Sequence, residues 1–133
     1  MNDRIPRLLV VDDEPAVLMS HTAILQRTGY EVTPASTAEQ AIQLLSERSF
    51  DLLICDLSLG ADSGLDVIAA AVRDHHAMPV VLMTGYSDAL LPKELAEANI
   101  TVVAKPTNVP EFLETIRRLL RPGNGSDHTQ AAD

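Results

Sequence analysis

Short aliphatic runs that stop abruptly at a charged or hydroxylated residue constrain this chain more than any other feature. Leu8 to Val11 is a run of β-formers ending in Asp12-Asp13-Glu14. Leu52 to Cys55 is a continuous apolar run ending in Asp56. Val80 to Met83 ends in Thr84-Gly85, and Thr101 to Ala104 in Lys105-Pro106. Runs that are apolar throughout, without alternation, suit strands buried on both faces. Glu31 to Ala35 is a weaker strand, and its Pro34 argues for an edge position.

Helical spacing fills the intervals. Val17 with Ile24, and Leu18 with Leu25, repeat at seven residues between Pro15, suited to a first turn, and Gly29, suited to a stop. Ser36 and Glu39 form a capping-box pattern ahead of Ala38, Ala41, Ile42 and Leu45. Leu59 to Gly64 reads as a loop, and Leu65, Ile68, Ala69 and Val72 as another amphipathic helix. A helix over Asp88 to Ala98 is interrupted early by Pro92. Asn108 caps the last helix, whose apolar face is Val109, Phe112, Leu113 and Ile116. The order is βα five times, which predicts a doubly wound α/β fold: one parallel sheet with helices on both faces. The 133 residues suit one domain over 1–121, with a small polar tail, 122–133, expected to be disordered.

Ligands of such sheets sit outside the carboxyl ends of the strands. Asp12, Asp13, Asp56, Thr84 and Lys105 therefore share one rim. Three crowded acids repel one another and raise each other's pKa. A hard divalent cation with oxygen ligands relieves that, and magnesium is the natural choice. An Asp carboxylate there can act as nucleophile and form an acyl phosphate. Lys105 supplies a point charge for a phosphate oxygen and Thr84 a hydroxyl donor.

With Asp12-Asp13 after the first strand, Asp56 after the third, Gly64 eight positions on, Thr84 after the fourth and Lys105-Pro106 after the fifth, the chain resembles the response-regulator receiver family over roughly Arg7 to Leu120. The resemblance implies a flavodoxin-like strand order, 2-1-3-4-5. It implies that Asp56 is the phosphoacceptor, and that Asp13, Asp56 and the backbone carbonyl of Ser58 ligate magnesium while Asp12 holds metal-bound water. Thr84 and Lys105 would contact the phosphoryl oxygens. The implied donor is a phosphohistidine on a sensor histidine kinase or a histidine phosphotransfer protein, and the implied output a downstream protein target. The chain would then be a phosphoacceptor, not an enzyme in the ordinary sense. Two positions depart from the family: Val102 stands where Tyr or Phe is usual, and Gly60 where Pro is usual, which predicts a looser loop.

Other readings are weaker. A non-phosphorylated pseudo-receiver scaffold would not need the full set of site residues. A flavodoxin-like flavin protein needs a Ser/Thr-rich phosphate loop, where this chain has Asp12-Asp13-Glu14. A haloacid-type phosphatase needs an Asp two residues after its nucleophile, where this chain has Ser58 or Pro15. The net charge of −9 disfavours direct nucleic-acid binding. The lone Cys55 is expected in the core and fits a reducing compartment. The polar N-terminus lacks a signal core, and no apolar run approaches a membrane span. The chain is read as cytoplasmic, acting through protein contacts as a stand-alone regulator or phosphorelay intermediate, or else as the receiver fragment of a larger hybrid kinase. His75 and His76 face different ways, against a metal role; Tyr86 reads as a half-exposed loop aromatic, and Met19, Met78 and Met83 as core or rim filler.

Overall fold

Aliphatic strands with no polar alternation can be stable only when both faces are covered, and the computed structural model shows that arrangement. It describes residues 4–60, 62–75, 77–85, 99–105 and 108–120. The strands β1 (Arg7–Val11), β2 (Glu31–Ala35), β3 (Leu52–Asp56), β6 (Val80–Thr84) and β7 (Ile100–Ala104) form one parallel sheet in the order β2-β1-β3-β6-β7. Counting the sheet strands in chain order, this is the 2-1-3-4-5 arrangement. Helices α1 (Pro15–Thr28), α2 (Ala38–Glu47), α3 (Gly64–Asp74) and α4 (Val109–Leu119) pack on it. The helix expected over Asp88 to Ala98, Tyr86, His76, Pro106 and the tail from Pro122 lie outside the described residues.

The two-residue period of a strand divides the core into two layers. Leu9, Val11, Leu53, Cys55, Val80 and Leu82 face α2 and α3, meeting Ala41, Leu45, Val67 and Ile68. Leu8, Val10, Leu52, Ile54, Val81 and Met83 face the other way and meet Leu25 of α1 with Phe112 and Ile116 of α4. Cys55 is buried, as expected, and burial pushes its thiol far above the ordinary range. Pro34 does lie in an edge strand: β2 pairs only with β1, placing Pro34 beside Val10.

Several local expectations hold in detail. Gly29 ends α1 with φ 111°, in the left-handed region, and Asn108 Oδ1 accepts the Glu111 amide at 3.1 Å to cap α4. Three do not. The cap of α2 is shifted by one residue: Thr37 Oγ1, not Ser36, accepts the Gln40 amide at 3.1 Å, and Gln40 Oε1 reaches back to the Ser36 amide at 3.0 Å. This frame starts the helix at Ala38 and turns Ala38, Ala41 and Leu45 inward together. Met19 is 70% exposed and is not core, because it stands about 100° around the helix from Leu18, which faces the sheet. The segment after Asp56 is not an open loop. It pairs as a two-stranded antiparallel ribbon, β4 (Ser58–Leu59) with β5 (Asp62–Ser63), and the helix begins at Gly64 itself.

Because Ile54 and Met19 differ so sharply in burial, they should differ in cost. Ile54→Ala should lose about 2–5 kcal/mol by denaturant unfolding, whereas Met19→Ala should stay within about 0.5 kcal/mol of wild type. Equal effects at the two positions would contradict the burial described here.

Candidate functional site

The rim at the carboxyl ends of the strands collects every side chain that the sequence singled out. Asp12 and Lys105 are placed by backbone pairing that runs one residue beyond their strands, and Asp56 and Thr84 are the last residues of theirs. The Asp12 amide donates to the Ala35 carbonyl at 3.1 Å, carrying the β1–β2 ladder up to the first acid. The Lys105 amide donates to the Thr84 carbonyl at 2.8 Å, carrying the β6–β7 ladder up to the lysine. Asp56 closes β3 opposite Met83, one residue before Thr84, and the Leu57 amide donates to the Met83 carbonyl at 2.8 Å.

Asp12, Asp13 and Asp56 come together: one carboxylate oxygen from each lies within 4.8 Å of the others. Asp12 and Asp56 are 2% and 6% exposed, while Asp13 is exposed. Asp12 Oδ1 accepts the Glu14 amide at 3.0 Å, and Asp56 Oδ1 accepts the Ser58 amide at 3.1 Å. Lys105 Nζ donates to Asp56 Oδ2 at 2.6 Å and stands 3.9 Å from Asp12 Oδ2. Thr84 is 1% exposed beside this group. Ser58, whose carbonyl was expected to face a metal, is tied to Asp56 through its amide.

The electrostatics follow from this packing. Burial raises the Asp12 carboxyl above its ordinary range, and the charges of Asp56 and Asp13 add to that. The Glu14 amide and Lys105 pull the other way without cancelling it. Burial alone would lower Lys105, but its hydrogen bond to Asp56 and the charges of Asp56, Asp12 and Glu14 outweigh it, and its pKa is raised. The lysine is therefore held as an ammonium. Three close carboxylates with one ammonium leave a surplus of negative charge in an all-oxygen donor set, which fits a small hard cation such as magnesium.

Two supporting features were not legible as site residues. Ser63 Oγ caps α3 by accepting the Leu65 amide at 3.1 Å. A side-chain carbon on Gly64 would overlap the Asp56 carbonyl oxygen, so only glycine lets α3 start against the end of β3. The Gly64 amide completes the junction by donating to the Leu57 carbonyl at 2.7 Å. The spacing of Gly64 from Asp56 was the one signal in the sequence. His75 makes a structural contact: its Nε2 lies 2.6 Å from the Leu45 carbonyl, tying the end of α3 to α2.

Comparison with known proteins gives a consistent result. Residues 8–117 match the family model described as the response regulator receiver domain. The chain is 46% identical over 81 residues to the alginate biosynthesis transcriptional regulatory protein AlgB of Pseudomonas aeruginosa, covering 61% of this chain and 18% of that protein. A CheY-like receiver domain protein of Methanospirillum hungatei superposes with TM-score 0.81 at 29% identity, covering 94% of this chain and 99% of that one. Response regulator TrrA of Thermotoga maritima, solved in complex with Mg(2+)-BeF, superposes with TM-score 0.78 at 31% identity over 87% of this chain and all of that one. The chain spans only 18% to 54% of the length of several curated relatives that it matches. Among the described residues no helix is long and apolar enough to cross a membrane.

The raised pKa of Asp12 fixes a sign. In the metal-free protein the folded state holds this proton more tightly than the unfolded chain. The contribution of Asp12 to stability is therefore greatest below the ordinary value of 3.8 and falls as pH rises through it towards the raised folded value. In chelator at neutral pH, Asp12→Asn should melt on the order of a few degrees above wild type, and the gap should close as pH falls towards 3.8. A gap that does not change with pH would show that the charge of Asp12 is not its source.

Proposed function

The chain belongs to the response regulator receiver domain family of two-component systems, and from that premise we propose that it accepts a phosphoryl group on Asp56. The observation that carries this reading is the placement of Asp56: a buried carboxylate at a strand end, with one oxygen held by the Ser58 amide and the other by Lys105. A carboxylate fixed at both oxygens presents a defined lone pair to an incoming phosphorus.

In this reading an Asp56 oxygen attacks the phosphorus of a phosphohistidine on a sensor histidine kinase or phosphotransfer protein. The new O–P bond forms as the P–N bond breaks, and its electron pair leaves with the donor imidazole. Lys105 passes from the Asp56 carboxylate to a phosphoryl oxygen and neutralises part of its charge. Thr84, beside it on the neighbouring strand, supplies a hydroxyl to another. Asp13, Asp56 and the Ser58 carbonyl would hold magnesium, with Asp12 holding its water. Bound there, the ion would offset charge on the phosphoryl oxygens. That the similar TrrA was solved in complex with Mg(2+)-BeF supports magnesium as the ion.

Output is then by protein contact with a downstream partner, with the chain working in the cytoplasm as a single regulator or relay intermediate. The relatives matched over 18% to 54% of their length include transcriptional regulators, so a receiver module of a longer protein is the second reading that a specific observation favours.

Intact-mass spectrometry tests the central step. With a small acyl-phosphate donor and magnesium, wild type should gain one phosphoryl group and Asp56→Asn none. An adduct of equal yield in the variant would remove Asp56 from the role.

A further inference from the structure

The three acids of the rim are not held alike. Asp12 is held by the Glu14 amide, and Asp56 by the Ser58 amide and Lys105. Among the described residues no hydrogen bond or ion pair holds the carboxylate of Asp13, which is the exposed corner of the cluster. What stands next to it is the tip of the β4–β5 ribbon. A side-chain carbon built on Gly60 would lie 3.4 Å from Oδ2 of Asp13 and would meet nothing else within 4 Å.

The backbone makes this approach a property of glycine. Gly60 has φ 65°, in the left-handed region, and follows directly on the pair Leu59 with Asp62. Proline, usual at this position among the proteins that the sequence resembles, has φ fixed near −65° and cannot turn the chain this way. The ribbon in turn is anchored at both ends of the site: Ser58 to Asp56 through its amide, and Ser63 as the cap of α3. Its tip is therefore a placed surface.

We propose that Gly60 is a positioning residue for Asp13: its bare backbone forms the outer wall of the acid cluster and leaves the room that the water shell of a bound cation requires. Magnesium keeps several waters when protein carboxylates bind it. With Asp12 and Asp56 buried behind, the waters that Asp12 does not hold have to lie on the open side, where Asp13 and Gly60 are. A methyl group at Gly60 would sit in contact with the Asp13 carboxylate and take up that space. The inference rests on the magnesium site proposed above.

The chain supplies its own control. Gly29 is the other glycine with positive φ among the described residues, at 111°, and a side-chain carbon there meets nothing within 4 Å. Calorimetric magnesium titration and metal-free melting should be run on wild type, Gly60→Ala, Gly60→Asn, Gly29→Ala and Gly29→Asn. Asn tolerates left-handed backbone, so it adds a side chain with little strain. Both Gly60 variants should bind magnesium roughly tenfold more weakly, in the range seen when the surroundings of metal ligands are altered. Metal-free Gly60→Asn should melt close to wild type. The Gly29 variants should keep full magnesium affinity, whatever they lose in stability. If Gly60→Asn binds magnesium as tightly as wild type, or if the Gly29 variants lose affinity equally, the positioning role is overturned. If wild type itself takes up no magnesium, the metal site and this inference fall together.

Discussion

One ammonium group stands against two buried carboxylates at the carboxyl edge of the sheet, and the rest of the rim is arranged around that imbalance. Lys105 reaches Asp56 at 2.6 Å and Asp12 at 3.9 Å. Removing charges from water is costly unless each is paired and hydrogen-bonded. Here one oxygen of each carboxylate is also met by a main-chain amide, that of Glu14 or Ser58, which adds no side-chain entropy cost and no further charge. The third acid, Asp13, is left at the surface, where water carries its solvation. The cluster thus combines two acids held in place with one that is not.

That arrangement depends on the interior strands being featureless in chemistry. β1, β3 and β6 are buried along nearly their whole length and contribute polar side chains only at their ends. In a parallel sheet every such end falls on the same side, so chain order alone gathers Asp12, Asp56 and Thr84. Extension of the ladders by one residue, through the Asp12 and Lys105 amides, fixes their height on the rim. Fold and candidate site are therefore specified by the same residues: the apolar runs of β1, β3, β6 and β7 determine strands, and their stopping points place acids, a hydroxyl and an ammonium on the rim.

This explains what could be read without coordinates. Long apolar runs and 3.6-residue spacing carry strong signals, so the five sheet strands and the four described helices followed from the sequence, while the strand order came only with the family resemblance. Site residues at strand ends were legible for the same reason. The exceptions are shorter than any period. A ribbon of two residues on each side, Ser58–Leu59 with Asp62–Ser63, has no alternation to detect and read as loop. Thr37 and Gln40 satisfy the same capping chemistry as Ser36 and Glu39 one residue earlier, and only the inward face of α2 chooses between them. Met19 sits beside apolar neighbours in sequence, yet a helix carries it out to solvent.

Val102 is informative in a different way. It lies on β7, the outer strand beyond β6, and is 38% exposed. A side chain so placed belongs to neither core layer. Nor does it affect the lysine three residues on. Lys105 is positioned by its own amide on the Thr84 carbonyl and by its ammonium on Asp56, neither of which involves the side chain at 102. The positioning of Lys105 is thus physically independent of the side chain at 102.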